Sequence, residues 1–401
     1  MTSWKPGGLL LVWVLTCTAA AAEPATITLD QALVFAQERS PVLQAARYER
    51  DAAVGATRGA GAPPNPVVDA GLGTRSTVTE PEVQLGVTQP LRLAEIGPAR
   101  GAALADADAS EDWTLDAQRR VMADVASAFQ RVRHADARVS IAEEAALLAG
   151  EVLEAARTRV AVGDSSELEL GTAELALARA QAVLASKRAN REQELGRLRI
   201  MLGAEPSELL VPIGPILSRE RYAPVLAGVE PTRPDVDALR DELLAAEADL
   251  RLARVQALPD LGIWGRYAQE EGAQVAAAGL SVEIPLSYRA QGERAVAGAR
   301  ARQAEAALQV GQRTASVELD AAVEVYRLRL EAVDLLESIA VPRASEQSAS
   351  AGRAYELGEM PLTELLLIRG QVTLAHVQHA DDELDAALAG VRMLEAAGWM
   401  P

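Results

Sequence analysis

From about Ile96 to Val162 the chain contains no proline after Pro98, and its apolar residues return every three or four positions. Met122, Val125, Phe129, Val132, Ala135, Val139, Ala142, Ala146, Ala149, Leu153, Ala156 and Val160 make one stripe, the seam of a coiled coil with one irregular step near Ala135. At roughly 1.5 Å per residue such a helix extends on the order of 100 Å. It cannot be wound into a globule and has to lie along helices of similar length. The composition agrees: 49% of residues are hydrophobic but only 3% are aromatic, the share being carried by Ala, Leu and Val. Alanine has the highest helix propensity and lets backbones approach closely.

The long helix belongs to a unit that occurs twice. Ser40-Pro41-Val42-Leu43-Gln44-Ala45 is answered by Arg233-Pro234-Asp235-Val236-Asp237-Ala238, and Pro66 by Pro259 at the same spacing. Beyond a two-residue insertion, Gln89-Pro90-Leu91 is answered by Ile284-Pro285-Leu286, Gly97 by Gly292, and Val162-Gly163-Asp164 by Leu357-Gly358-Glu359. Each unit reads helix, two strands, very long helix, tight turn, helix. Thr28-Leu29-Asp30-Gln31 has capping-box spacing, and Pro41 behind Ser40 suits a first helical turn. The expected organisation is a first repeat over 23–230, with strands at about 66–76 and 81–91 and long helices at about 96–162 and 165–203. A second repeat over 231–401 has strands at about 259–270 and 274–287 and long helices at about 291–357 and 361–397, the first of these broken by Pro342.

The strands are marked by a period of two. Val83, Leu85, Val87 and Leu91 alternate with Glu82, Gln84, Gly86 and Thr88, and Ala276, Ala278, Leu280, Val282, Ile284 and Leu286 with Gln274, Ser281 and Glu283. This is a ribbon with one apolar and one wet face, and about ten residues is the length that a membrane-spanning strand requires.

Residues 1–22 have the layout of a secretory signal peptide: Lys5, an apolar run from Leu9 to Leu15, then Thr18-Ala19-Ala20-Ala21-Ala22. Cleavage after Ala22 would remove the single cysteine. The rival reading is lipid attachment at Cys17, for which Thr16 is a poor neighbour. Without Cys17 there is no disulfide, thiol nucleophile or thiolate metal site. With 57 Asp and Glu against 39 Lys and Arg and no basic stripe, a nucleic-acid partner is excluded. After Ala22 no apolar run is long enough for a transmembrane helix, so any crossing is by strands. No phosphate loop, nucleophile elbow or Cys/His pairing is present, and neither catalysis nor a cofactor is expected.

Four strands cannot close a barrel, and an open edge is prohibitively costly in lipid. Two chains would give eight strands with a filled interior; three give twelve and a lumen. A homotrimer is the simplest conducting solution, its helical hairpins forming a second cylinder below.

Ile27-Thr28-Leu29-Asp30-Gln31-Ala32-Leu33 followed by Ser40-Pro41-Val42-Leu43, Pro64-Asn65-Pro66, the Gln89-Pro90 strand end, and Tyr355-Glu356-Leu357-Gly358-Glu359 followed by Leu365 resemble the TolC-like outer-membrane factors. The resemblance covers essentially the whole chain after Ala22. Its length and the Pro-Asn-Pro and Gln-Pro-Leu motifs are most similar to the CzcC-type branch, which serves heavy-metal pumps of the resistance-nodulation-division class. The resemblance implies a mainly α fold with a membrane β part, a trimeric 12-stranded β-barrel above an α-barrel. It implies an outer-membrane exit duct, with outer-membrane lipid around it and a periplasmic adaptor and an inner-membrane pump docked at the far end. Ducts for drugs or for type I polypeptide secretion share this architecture. From another class, a periplasmic coiled-coil adaptor also carries helical hairpins, although usually one hairpin flanked by β domains.

On that reading Val162, Gly163, Asp164, Leu357, Gly358 and Glu359 form a tip that docks an adaptor; the bland alternative is that each glycine only ends a helix. Asp164, Glu167, Glu359 and Glu364, three copies each, would ring the entrance with negative charge and favour cations, or simply answer helix dipoles. His376 and His379, with Asp381, Asp382 and Glu383 nearby, have a spacing open to a metal ion, against the simpler reading of a wet coiled-coil face; no metal site is assigned. His134 stands alone in the sequence, which points to a core or surface role.

Overall fold

A computed structural model of the chain describes residues 25–74, 81–205, 208–228, 233–270, 273–287 and 289–399. The expected leader and Cys17 lie outside the described residues. The chain opens with β1 (Ala25–Ile27), α1 (Leu29–Arg39) and α2 (Pro41–Thr57). Thr28 and Gln31 form the capping box, each side chain accepting the other's backbone N–H at 3.4 and 2.9 Å. Then come β2 (Val67–Thr74), β3 (Pro81–Pro90), α3 (Leu93–Ala161) and α4 (Glu167–Leu202).

Helix α3 is 69 residues long. It starts three residues ahead of the expected boundary and takes in Pro98, which costs one backbone bond near the helix end and leaves the rest of the ladder intact. Along its stripe Val139, Ala146 and Val160 are half-buried and the other nine positions are buried.

A linking region of β4 (Leu210–Pro212) and α5 (Arg219–Leu226) precedes the second series: α6 (Pro234–Val255), β5 (Asp260–Glu270), β6 (Ala273–Glu283), α7 (Gln291–Leu335), a π-helical turn (Leu336–Ala340), α8 (Val341–Glu356) and α9 (Leu362–Ala396). The break sits just ahead of Pro342. Proline has no N–H to give the carbonyl of Ser338 and its ring crowds it; widening the preceding turn relieves the clash. Ser338 Oγ also donates to the Asp334 carbonyl at 2.6 Å, a back-bond that bends helices.

Two sheets form. Strands β1 and β4 pair in parallel, and β2, β3, β5 and β6 make a four-stranded antiparallel sheet in that order. The register puts Val68, Val87, Gly265 and Ala278 across from one another, and Ala70, Leu85, Tyr267 and Ala276 likewise. On the opposite face the rows are Asp69, Gly86, Arg266 and Ala277, and Gly71, Gln84, Ala268 and Val275. One face is therefore mainly apolar, and the other mixes polar and small residues with Val67, Trp264 and Val275. Exposed Leu72, Leu85, Leu280 and Val282 belong to the apolar face, and β2 and β6 are unpaired at their outer edges.

Three apolar clusters hold the helices together. The largest joins α1, α2, β1 and β4 to the middle of α3 and the end of α4 through Leu33, Leu43, Phe129, Val132, Leu198 and Leu202. Another seats α5 against α7 and α9, with the Tyr222 and Tyr326 rings edge to face at 5.3 Å. The third lies at the far end of the hairpins. No helix among the described residues is long and apolar enough to cross a membrane.

Candidate functional site at the hairpin ends

Helices α3 and α8 end in the same way. Gly163 has φ 82° and Gly358 φ 75°. Gly163 N donates to Val160 O and Asp164 N to Arg159 O; in the second hairpin Gly358 N donates to Tyr355 O and Glu359 N to Ala354 O. These are Schellman closures, in which the two residues after the cap turn back onto the last helical carbonyls. Beyond them Ser166 caps α4, accepting from Glu169 N at 3.3 Å, while Pro361 opens α9. Glu167 and Glu364 fall in the first turns of α4 and α9, where a carboxylate faces the positive helix end.

The two turns share one end of the molecule. Val152, Leu153 and Ala156 of α3, Ala173 of α4, Ala351 and Tyr355 of α8, and Leu362 and Leu365 of α9 pack in a single cluster beneath them. What projects past that cluster is uncovered: Val162 is 74% exposed, Leu357 73% and Leu168 81%, and Gly163, Asp164, Glu167, Gly358, Glu359 and Glu364 are all exposed. Two large apolar side chains at the apex of two turns are not core residues. They are a surface without a partner in one chain.

Polar groups stitch the two hairpins together one turn below. Tyr355 Oη donates to Glu169 Oε1 at 3.1 Å, and Ser165 Oγ holds the other oxygen of that carboxylate. Arg159 donates to Asp164 at 3.1 Å, lies 3.8 Å from Glu169, and stands over the Tyr355 ring at 5.1 Å. Burial, reinforced by the Glu169 carboxylate, pushes the Tyr355 phenol up from its ordinary range. Farther down, Arg369 donates to the Leu148 carbonyl at 2.5 Å, and burial lowers its pKa against the pull of Glu151 and Glu356.

Of the four acids expected to ring an entrance, Asp164 is therefore engaged by Arg159, while Glu167, Glu359 and Glu364 have no side-chain partner among the described residues. Arg159 and Glu169 were missed as tip residues, and Tyr355 entered only as the first residue of the Tyr355–Glu359 motif. Their signal was weak: one aromatic a turn ahead of the glycine in an aromatic-poor chain, and an arginine five residues before an acid across a turn.

Two of the three histidines are engaged with carboxylates. Asp381 is bound by His134 Nε2 at 2.6 Å and by Arg138 at 2.6 and 2.7 Å. Burial would raise its carboxyl, but those bonds outweigh it and hold Asp381 below the usual carboxylate range. His379 Nδ1 lies 3.8 Å from Glu383. Among the described residues no group of three or more His, Cys, Asp or Glu is placed to hold a metal ion. His134 is thus a cross-brace between α3 and α9 rather than an isolated residue.

The described residues thus form a four-stranded sheet with one mainly apolar face and two helical hairpins whose ends pack together. Residues 32–204 match the family model described as outer membrane efflux protein. Among individual proteins the chain is 30% identical over 298 residues to the nickel-cobalt-cadmium resistance protein NccC of Alcaligenes xylosoxydans xylosoxydans, covering 70% of this chain and 65% of that relative's length. The Campylobacter jejuni CmeC outer membrane channel superposes with a TM-score of 0.77 at 16% identity, over 92% of this chain and 85% of that one. The Vibrio cholerae outer membrane protein VceC gives 0.76 at 18%, over 92% and 96%. At that identity the structures speak to fold alone.

Proposed function

We propose that the chain is one subunit of a homotrimeric exit duct that crosses the outer membrane by a shared 12-stranded β-barrel and continues into the periplasm as an α-barrel. The observation that carries this reading is the four-stranded sheet: one face is mainly apolar and its two edges, β2 and β6, are open. An edge in hydrocarbon leaves each backbone group unsatisfied at several kcal/mol, so the sheet is finished by copies of itself. Residues 1–22 act as the export signal and 23–230 and 231–401 as two repeats of one unit. At the periplasmic end Val162, Gly163, Asp164, Leu357, Gly358 and Glu359 dock an adaptor, which links the duct to an inner-membrane pump. Glu167, Glu359 and Glu364, with Asp164 muted by Arg159, bias the entrance toward cations. The duct is passive.

Heavy-metal cations are the proposed cargo. Support comes from the NccC relative, a nickel-cobalt-cadmium resistance protein, and from the acidic entrance. Two experiments test the reading. Cross-linking of outer-membrane fractions should trap trimers; monomers in the periplasmic wash would end it. Deleting the gene should sensitise cells to divalent nickel, cobalt or cadmium and not to a panel of organic drugs; the reverse pattern would reassign the cargo.

A further inference from the structure

The chain is acidic overall, with 57 Asp and Glu against 39 Lys and Arg, but the sign reverses where the helices meet the sheet. The segments 58–66, 91–104, 249–260 and 285–304, which carry the chain between sheet and helices, hold nine arginines and four acidic residues. All nine arginines are exposed. Those with partners hold them loosely: Arg92 lies 4.0 Å from Glu95 and 3.8 Å from Asp260, and Arg251 is 3.8 Å from Glu247. Arg289 and Arg302 donate only to backbone carbonyls four residues back, at 3.3 and 3.2 Å. The side chains of Arg58, Arg100, Arg254, Arg294 and Arg300 make no hydrogen bond or ion pair among the described residues.

Arginines without an ion pair occur elsewhere too, Arg131, Arg179 and Arg327 among the described residues, but in these four segments nine arginines stand against four acids, whereas acids outnumber basic residues over the whole chain. Arg254 and Arg294 also border a groove of about 780 Å³ between α6 and α7, whose walls combine these two arginines, Arg302 and two acids, Glu247 and Glu305, with the apolar Leu243, Leu250 and Ala301. Guanidinium groups beside apolar side chains match a ligand with a phosphate at one end and hydrocarbon at the other. If the sheet spans the bilayer, these segments stand at the headgroups of the leaflet on the helical side.

We propose that this arginine collar binds the anionic phosphate headgroups of phospholipids in that leaflet and so fixes the depth at which the duct sits. The inference rests on the outer-membrane reading above. An arginine near an anionic bilayer surface strengthens its attraction by about fivefold, and the attraction is screened within a Debye length of about 10 Å at moderate salt.

The test uses the full-length trimer, purified in mild detergent and reconstituted into vesicles of phosphatidylethanolamine alone or mixed with phosphatidylglycerol. Retained lipids are identified by native mass spectrometry after partial delipidation. The wild type should retain phosphatidylglycerol at least about tenfold over phosphatidylethanolamine, and the triple variant Arg254→Gln/Arg294→Gln/Arg300→Gln should lose most of that preference while remaining trimeric. Equal retention of the two lipids, or an unchanged preference in the variant, overturns the proposal and leaves the duct intact. Failure to enter either vesicle overturns the collar and the membrane reading together. Displacement of bound lipid by inorganic phosphate alone would overturn it in favour of a free-phosphate site.

Discussion

Asp116 and Arg119 are 1% and 4% exposed on the middle of α3. Arg119 binds Asp116 through two nitrogens, at 3.0 and 2.5 Å, and gives its third to the Glu395 carbonyl at 2.7 Å, tying α3 to the end of α9. Neither residue stands out in a heptad run, because polar side chains beside a seam are ordinary there; their burial depends on which helix covers them. Removing Asp116 leaves the buried Arg119 only Glu395, its carbonyl at 2.7 Å and its carboxylate at 3.4 Å, and breaking a buried pair costs about 3–5 kcal/mol. Asp116→Ala should lower the thermal unfolding midpoint markedly, whereas the exposed pair Arg343 and Glu346 at 3.0 Å should be removable with little effect. At the tip the stakes are smaller and local. Tyr355→Phe deletes the bond to Glu169, a loss of about 1.5–3 kcal/mol for a bond to a charged group. Global unfolding should hardly move, yet hydrogen exchange across 341–356 should accelerate. Unchanged exchange there would mean that the apolar cluster alone holds the hairpins together.

Helix ends and breaks were partly legible and partly not, for identifiable reasons. The alternation of Val83, Leu85 and Val87 with Gln84, Gly86 and Thr88 marks β3 because one of its faces is apolar and the other wet. Strands β1 and β4 are three residues each, too short for any period to register, and their parallel pairing is between distant segments. Helix α5 contains Pro224, which reads as a breaker, and only its docking of Tyr222 against Tyr326 and α9 reveals its place. Pro342 foretold an interruption but not its form, since proline tolerates the first turn of a helix and passes the distortion back to Leu336–Ala340. Pro342→Ala removes that demand. Exchange protection at 338–342 should rise as the wide turn tightens toward α-helical bonding; persistence of the π turn would show that Arg219, which bridges Asp334 at 2.7 Å and Glu337 at 2.9 Å, holds it instead. At the turn itself Gly358→Val meets no neighbouring atom, because nothing lies within 4 Å of an added Cβ, but φ 75° is strained for a β-branched residue by about 1–3 kcal/mol. Export should fall while trimers persist; loss of trimers in step with export would make the turn purely structural.

The whole molecule is organised by a single inequality between what one chain offers and what a pore needs. Its sheet has four strands, two open edges and faces of opposite character, so neither the edges nor the apolar face are satisfied in a lone copy in water. Neighbours at adjacent positions of the central strand β3 test this directly. Leu85 lies on the apolar face, across from Ala70 and Tyr267; Gln84 lies on the other, across from Gly71 and Ala268. If the apolar face meets lipid and the other lines a wet lumen, Leu85→Arg should cost about 2–4 kcal/mol near mid-depth and deplete trimers from the outer membrane. Gln84→Arg, one residue away, should assemble normally and change only the charge of the lumen, readable as altered ion selectivity of the reconstituted channel. The two outcomes are opposite because successive side chains of a strand point to opposite faces. Equal tolerance of both substitutions would mean that this sheet is not embedded in lipid, and equal failure that its two faces are both packed against protein.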